Sequence, residues 1–141
     1  TIRTYDKKNI ILVGTPVWSQ DVDVAADSPI KGYSNLMYTF HFYAATHKEM
    51  YREKVKAAVK KGLPVFVSEF GISESSGNGS IDKKEANTWI QFLKKNKISY
   101  VCWSLSNKDE SCSLLKSSST RTGNFRKTDL SAAGRWYQAV K

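Results

Sequence analysis

The 141 residues are 40% hydrophobic and 25% charged, enough apolar side chain for one sizeable core with no need of a second domain. No apolar run approaches the roughly 18 residues of a membrane span, and the opening Thr1-Ile2-Arg3-Thr4-Tyr5-Asp6 lacks the charged-then-apolar layout of a leader, so no membrane partner is expected. The 22 Lys+Arg against 13 Asp+Glu give +9, but the charge is spread evenly, with 10 basic and 6 acidic groups up to residue 68 and 12 and 7 beyond it; neither half forms the one-sign block that a nucleic-acid partner favours.

In chain order, the first apolar run is Ile10-Ile11-Leu12-Val13, short and rich in β-branched residues, as expected of a buried strand. Residues 15–34 follow with Pro16, Trp18, three Asp and Pro29 but no apolar periodicity, and they read as a binding loop that carries an aromatic. The second strand is Leu36-Met37-Tyr38-Thr39-Phe40-His41-Phe42-Tyr43. Thr46-His47-Lys48-Glu49 then forms a capping-box pattern, so a helix is expected to start there. Tyr51, Val55, Ala58 and Val59 repeat at helical spacing, and Gly62 and Pro64 supply the stop.

Val65-Phe66-Val67 reads as a third strand and Ile98-Ser99-Tyr100-Val101-Cys102-Trp103 as a fourth. Between them Asp82-Lys83-Lys84-Glu85 opens a helix whose Ala86, Trp89, Ile90 and Leu93 share a face, and Asn96 ends it. A last helix over residues 131–140 groups Ala132, Trp136 and Val140. Strands alternating with helices predict βαβ units and a parallel sheet. Cys102 and Cys112 are too few for a disulfide framework and lack the companions of a zinc site; Cys102 reads as a buried free thiol. With His41 and His47 the only histidines, no metal and no cofactor are expected.

Functional groups in such a sheet gather beyond the C-terminal strand ends. Those ends carry Trp18, then His41 and Tyr43, then Glu69, then Trp103 with Lys108 and Glu110 beyond it. Strand alternation puts His41 with Tyr43 on one face, and Val65, Val67 and Glu69 on one face, so that Glu69 would stand at the mouth of an apolar surface. A carboxylate there, beside a phenol, an imidazole and an indole, suits nucleophilic attack on a sugar. The same spacing also fits a strand-end carboxylate bonded to a loop, a core Trp103 and a satisfied buried His41.

Beyond spacing, Val67-Ser68-Glu69-Phe70-Gly71, His41-Phe42-Tyr43-Ala44, Trp103-Ser104-Leu105-Ser106, Lys108-Asp109-Glu110 and Val13-Gly14-Thr15-Pro16-Val17-Trp18-Ser19-Gln20-Asp21 together resemble glycoside hydrolase family 5 endoglucanases of the bacterial cellulase type. The motifs stand in order from about Asn9 to Lys141. The resemblance implies that Glu69 is the catalytic nucleophile, Tyr43 its hydrogen-bond partner and His41 the active-centre histidine. It also implies that Trp103 lines the −1 sugar site, that Lys108 and Glu110 bind glucose hydroxyls, and that Trp18 stacks on the aglycone side. A hydrophobic plug for Trp18 and a plain surface ion pair for Lys108 and Glu110 are the competing assignments.

A retaining glycosidase needs a second carboxyl group about 5 to 5.5 Å from the nucleophile, and the resembled family carries it in an Asn-Glu pair that this chain lacks. An eight-stranded (β/α)8 TIM barrel takes about 250 residues. Residues 1–141, with four expected strands, therefore read as the C-terminal half of a family 5 catalytic domain, with residues 1–3 as the tail of the preceding helix. The sheet would have open edges at 10–14 and 98–104 and an inner face, with Val65, Val67 and Val101, in need of cover.

The expected partners are a β-1,4-glucan and the N-terminal half-barrel, or else a second copy of this chain. Two functions follow from the resemblance: an endo-β-1,4-glucanase half completed on association, or a noncatalytic β-glucan-binding scaffold. Family members are secreted, so an extracellular site of action is expected, with any export signal lying upstream.

Overall fold

The computed structural model describes residues 1–140. A short turn of helix, α1 (Ile2–Tyr5), precedes β1 (Ile11–Val13); two further short helices, α2 (Pro16–Ser19) and α3 (Val22–Ala25), lead to β2 (Leu36–Tyr43). Then come α4 (Glu49–Lys60), β3 (Val65–Gly71), α5 (Lys83–Lys95) and α6 (Ala132–Val140). The three strands form one parallel sheet in the order β1-β2-β3. Among the described residues no helix is long and apolar enough to cross a membrane.

The aromatic content of β2 explains the core. Phe40 and Phe42 are fully buried, and Trp89 of α5 stacks on Phe42 with ring centroids 4.0 Å apart. Phe70 of β3 extends the stack at 5.1 Å from Phe42. The Trp89 indole N–H donates to the His47 carbonyl at 2.8 Å, so its one polar group is satisfied inside the core. Arg52 of α4 lies over the same ring at 5.2 Å and pairs with Glu85 of α5, joining the two helices above the sheet.

The pairing of β2 with β3 contains one irregularity. Tyr38 faces Val65 and Phe40 faces Val67, but the next residue, His41, faces Glu69, which makes Ser68 the extra residue of a β-bulge. Simple alternation beyond Val67 therefore fails. Val65 and Val67 point with Phe40 into the helix-covered core and are buried, whereas Glu69 joins His41 on the opposite face. The expected inner face thus excludes Val65 and Val67; it keeps Val101, half-exposed beside Leu12 and Trp103 in the same state.

The fourth expected strand is reduced to a bridge between Val67 and Tyr100. Residues 99–103 run alongside β3, with Val101 N–H donating to Val67 O and Trp103 N–H to Phe70 O, both close to 2.9 Å. Two residues on one side span three on the other, so the bulge at Ser68 breaks the even ladder that a regular strand needs.

Three local expectations also change. Thr46 does not cap α4, because its hydroxyl accepts from Ser75 N–H at 2.9 Å; the helix starts at Glu49 after Lys48, whose ammonium reaches Asp82 at the head of α5. Asp82 itself caps α5 as expected, accepting from Glu85 N–H at 2.9 Å. Residues 15–34 are not all loop: α2 and α3 lie within them, and Val22 is fully buried. Cys112, not Cys102, is the fully buried thiol; both cysteines are free.

Gly134 shows how closely α6 is docked. A Cβ there would lie 2.0 Å from the Leu114 carbonyl oxygen, which is backbone and cannot swing aside. Gly134→Ala is expected to lower stability by about 3 kcal/mol, at the upper end of overpacking costs, measured as a shift of the denaturant midpoint at unchanged slope.

Candidate active site

Beyond the C-terminal ends of β2 and β3 lies a cleft of about 650 Å³ lined by Glu69, Tyr43, His41, His47 and the Thr15–Gln20 turn with Trp18. The bulge delivers Glu69 to it. The Tyr43 hydroxyl donates to Glu69 Oε1 at 2.8 Å. The other oxygen, Oε2, lies 3.8 Å from His41 Nδ1, beyond hydrogen-bond length. Burial and the bond to Glu69 push the Tyr43 phenol far above its ordinary value of 10, so it remains a donor at neutral pH. Burial also lowers the His41 imidazole below 6.5 against the opposing pull of Glu69, which leaves it neutral at pH 7.

Tyr43 reaches Glu69 because its cross-strand partner is glycine. A Cβ on Gly71 would meet ring atoms of Tyr43 at 2.7 and 2.8 Å. The backbone of Tyr43 is held separately: its N–H donates to His47 Nδ1 at 2.8 Å. Since that nitrogen accepts, the proton of neutral His47 sits on Nε2, 3.1 Å from the Gln20 side-chain amide; turning that amide about its last bond presents the oxygen as the acceptor. His47 was not among the residues singled out from the sequence. Its signal, a histidine four residues beyond a strand-end tyrosine, looks like part of a helix start.

The turn carrying Trp18 has an unusual backbone. Val17, Trp18 and Ser19 all have positive φ, at 53°, 51° and 62°, a left-handed run that costs on the order of 1–2 kcal/mol per residue. Ser19 holds it in place: its hydroxyl accepts from Thr39 Oγ1 at 2.7 Å and from Thr15 N–H at 3.4 Å. The result is a Trp18 side chain 84% exposed at the rim. Strain of this kind, kept in place by its surroundings, is characteristic of ligand sites.

Of the other sequence-derived site residues, Trp103 is 47% exposed beside the end of β3, and its peptide bond to Ser104 is cis. Lys108 and Glu110 do not join the cleft. They bond to each other at 2.9 Å and flank a separate surface hollow. Glu69 is the one carboxylate lining the cleft among the described residues, and no metal-binding cluster of three or more side chains occurs among them. Burial pushes the Cys102 thiol up to about 12, which keeps it protonated at neutral pH.

A carboxylate oriented by a phenol in an aromatic-rimmed cleft at the C-terminal edge of a parallel sheet is an arrangement suited to glycosidic chemistry. The comparisons with known proteins agree. Residues 1–109 match the profile "Cellulase (glycosyl hydrolase family 5)", and the chain belongs to that family. It is 47% identical over 133 residues to an endoglucanase of Clostridium saccharobutylicum, an alignment that covers 94% of this chain and 30% of the relative.

A solved structure from Cytophaga hutchinsonii superposes with a TM-score of 0.94 at 40% identity, covering 98% of this chain and 45% of that one. The catalytic domain of the Thermobifida fusca endoglucanase Cel5A, in a form complexed with cellotetraose, superposes with a TM-score of 0.86 at 31% identity, covering 98% and 47%. The chain therefore spans about 30% of the curated relative's length and under half of either solved domain.

Two expectations follow. Gly71→Ala should displace Tyr43 and lower turnover of the active protein about as much as Tyr43→Phe does, roughly tenfold for one lost hydrogen bond; combined, the two should cost little more than either alone, as read from kcat in a double-mutant cycle. The buried His47 and half-buried His41 should also make stability fall with acidity. Their folded-state pKa values lie below 6.5, so the unfolded chain takes up protons first, and stability present at neutral pH is lost as pH drops below about 6.5. Thermal melts at about pH 7.5 and 5.5 should show this slope, and His47→Gln, which keeps an acceptor for Tyr43 but does not titrate, should flatten it in part.

Proposed function

We propose that residues 1–141 are the C-terminal half of a (β/α)8 endo-β-1,4-glucanase domain, acting by retaining double displacement, with Glu69 as nucleophile. The observation that carries this reading is the Tyr43–Glu69 hydrogen bond of 2.8 Å at the cleft, since binding a glucan requires neither a bulge-delivered carboxylate nor its orienting phenol. Glu69 Oε2 attacks the anomeric carbon as the glycosidic bond breaks, giving a glycosyl-enzyme ester; water then displaces Glu69 with the configuration restored. Tyr43 holds the carboxylate before attack, and Tyr43 with the nearby His41 stabilises its charge when it leaves.

The leaving oxygen needs a proton, and general-acid assistance contributes about 10²- to 10⁴-fold. Glu69 cannot both attack and protonate, so the acid/base carboxyl is assigned to the complementary N-terminal half of the barrel. The half-exposed Leu12, Val101 and Trp103 on the uncovered sheet face are consistent with such a neighbour; a second copy of this chain would bring another Glu69 in place of the missing acid. Trp103 is assigned to glucose recognition and Trp18 to stacking on the aglycone side, with Lys108 and Glu110, outside the cleft, assigned to a glucose unit further along the glucan. The setting is extracellular, where a polymeric glucan is met.

Glu69→Gln in the complete assembly should lower turnover by several orders of magnitude while cellooligosaccharide affinity stays within about tenfold, and a 2-fluoro glucoside should label Glu69. Labelling of another residue, or equal loss of binding and turnover, would overturn the assignment. The chain by itself should show weak activity on an activated aryl cellobioside, whose leaving group needs little protonation, and none on cellulose. Full activity on cellulose without the complement would sink the half-domain reading.

A further inference from the structure

The bulge that re-aims Glu69 leaves a second side chain, that of Ser68, against His41. Its hydroxyl oxygen lies 2.8 Å from His41 Nε2, while Nδ1 of the same ring lies 3.8 Å from Glu69 Oε2. On the reading that Glu69 is the nucleophile, we infer that Ser68 is a positioning residue which donates its hydroxyl proton to His41 Nε2 and so holds the imidazole with its N–H at Nδ1, directed at the reacting carboxylate oxygen.

The direction of the proton follows from what each neighbour can do. A carboxylate only accepts, so a lone pair on Nδ1 facing Oε2 would be repelled, whereas an N–H there is attracted. His41 is neutral at pH 7, kept so by burial, and a neutral imidazole carries one proton. With that proton on Nδ1, Nε2 presents a lone pair, and a serine hydroxyl is free to rotate and donate to it. The N–H dipole at 3.8 Å is too far to tie up Oε2 but close enough to favour negative charge on it, which assists the departure of Glu69 from the glycosyl ester. Alanine at position 68 leaves the ring free to take the other tautomer, with its lone pair on the carboxylate side.

The two histidines of the chain should then be opposite tautomers, because His47 Nδ1 accepts from Tyr43 N–H and must be protonated at Nε2. Two-bond ¹H–¹⁵N correlation spectra of the complete assembly, with ¹⁵N-histidine confined to this chain, distinguish them. The expected result is His41 protonated at Nδ1 and His47 at Nε2. Ser68→Ala should move His41 toward the Nε2 tautomer and lower kcat about tenfold with KM within about twofold, and Ser68→Thr, which keeps the hydroxyl, should restore both.

Protonation of His41 at Nε2 in the unaltered protein overturns the proposal without any variant, even if Ser68→Ala fails to fold. A loss of turnover in Ser68→Ala with the tautomer unchanged overturns it equally, since that is what general disruption of the strand would give. If the unaltered assembly hydrolyses no glucan, the nucleophile reading falls, while the spectra still decide the role of Ser68.

Discussion

A single unpaired residue in β3 governs the site. In an unbroken parallel ladder Ser68 would face His41 and Glu69 would face Phe42, burying a carboxylate against the Phe42–Trp89 stack, at a desolvation cost the fold could not sustain. The bulge reverses the parity of every residue after Ser68. Glu69 is expelled from the aromatic layer onto the face that carries His41 and Tyr43, and Phe70 takes its place in the core. Packing of the helix side and chemistry on the cleft side are thus settled by one backbone offset.

The surrounding structure keeps that offset in use. Gly71 leaves room for the Tyr43 ring, His47 pins the Tyr43 backbone, and the His47 carbonyl receives the Trp89 indole from beneath. His47 therefore links the helical layer, the strand end and, through Gln20, the strained turn bearing Trp18. Small errors in the position of any of these three would converge on the phenol that orients Glu69.

Much of this was legible in the sequence. Dense β-branched and aromatic runs marked β1 and β2, and Asp82 with the periodic Ala86, Trp89, Ile90 and Leu93 marked α5, because local chemistry and burial agree there. The pairing of Tyr43 with Glu69 was anticipated from motif resemblance, but the face assigned to Glu69 by alternation was that of Val65 and Val67, and the structure places it opposite them. A bulge has no composition signature here: Ser68 is an ordinary strand residue until its partner's register is known. For the same reason the 98–103 segment read as a regular strand, though its ladder is broken by an irregularity one strand away. Thr46 shows the converse, a good capping pattern overruled by a distant amide, that of Ser75. Residues 15–34 concealed α2 and α3 because single turns are too short to show a helical period.

The four tryptophans fall into two optical classes. Trp89 and Trp136 are sealed in the core, whereas Trp18 and Trp103 stand in solvent at the sheet's functional edge. Emission at long wavelength and access to aqueous quenchers therefore belong to the two rings at the sheet edge, while the short-wavelength component tracks the integrity of the fold. The protein carries, in its own side chains, separate fluorescent reporters for the exposed edge of its sheet and for unfolding.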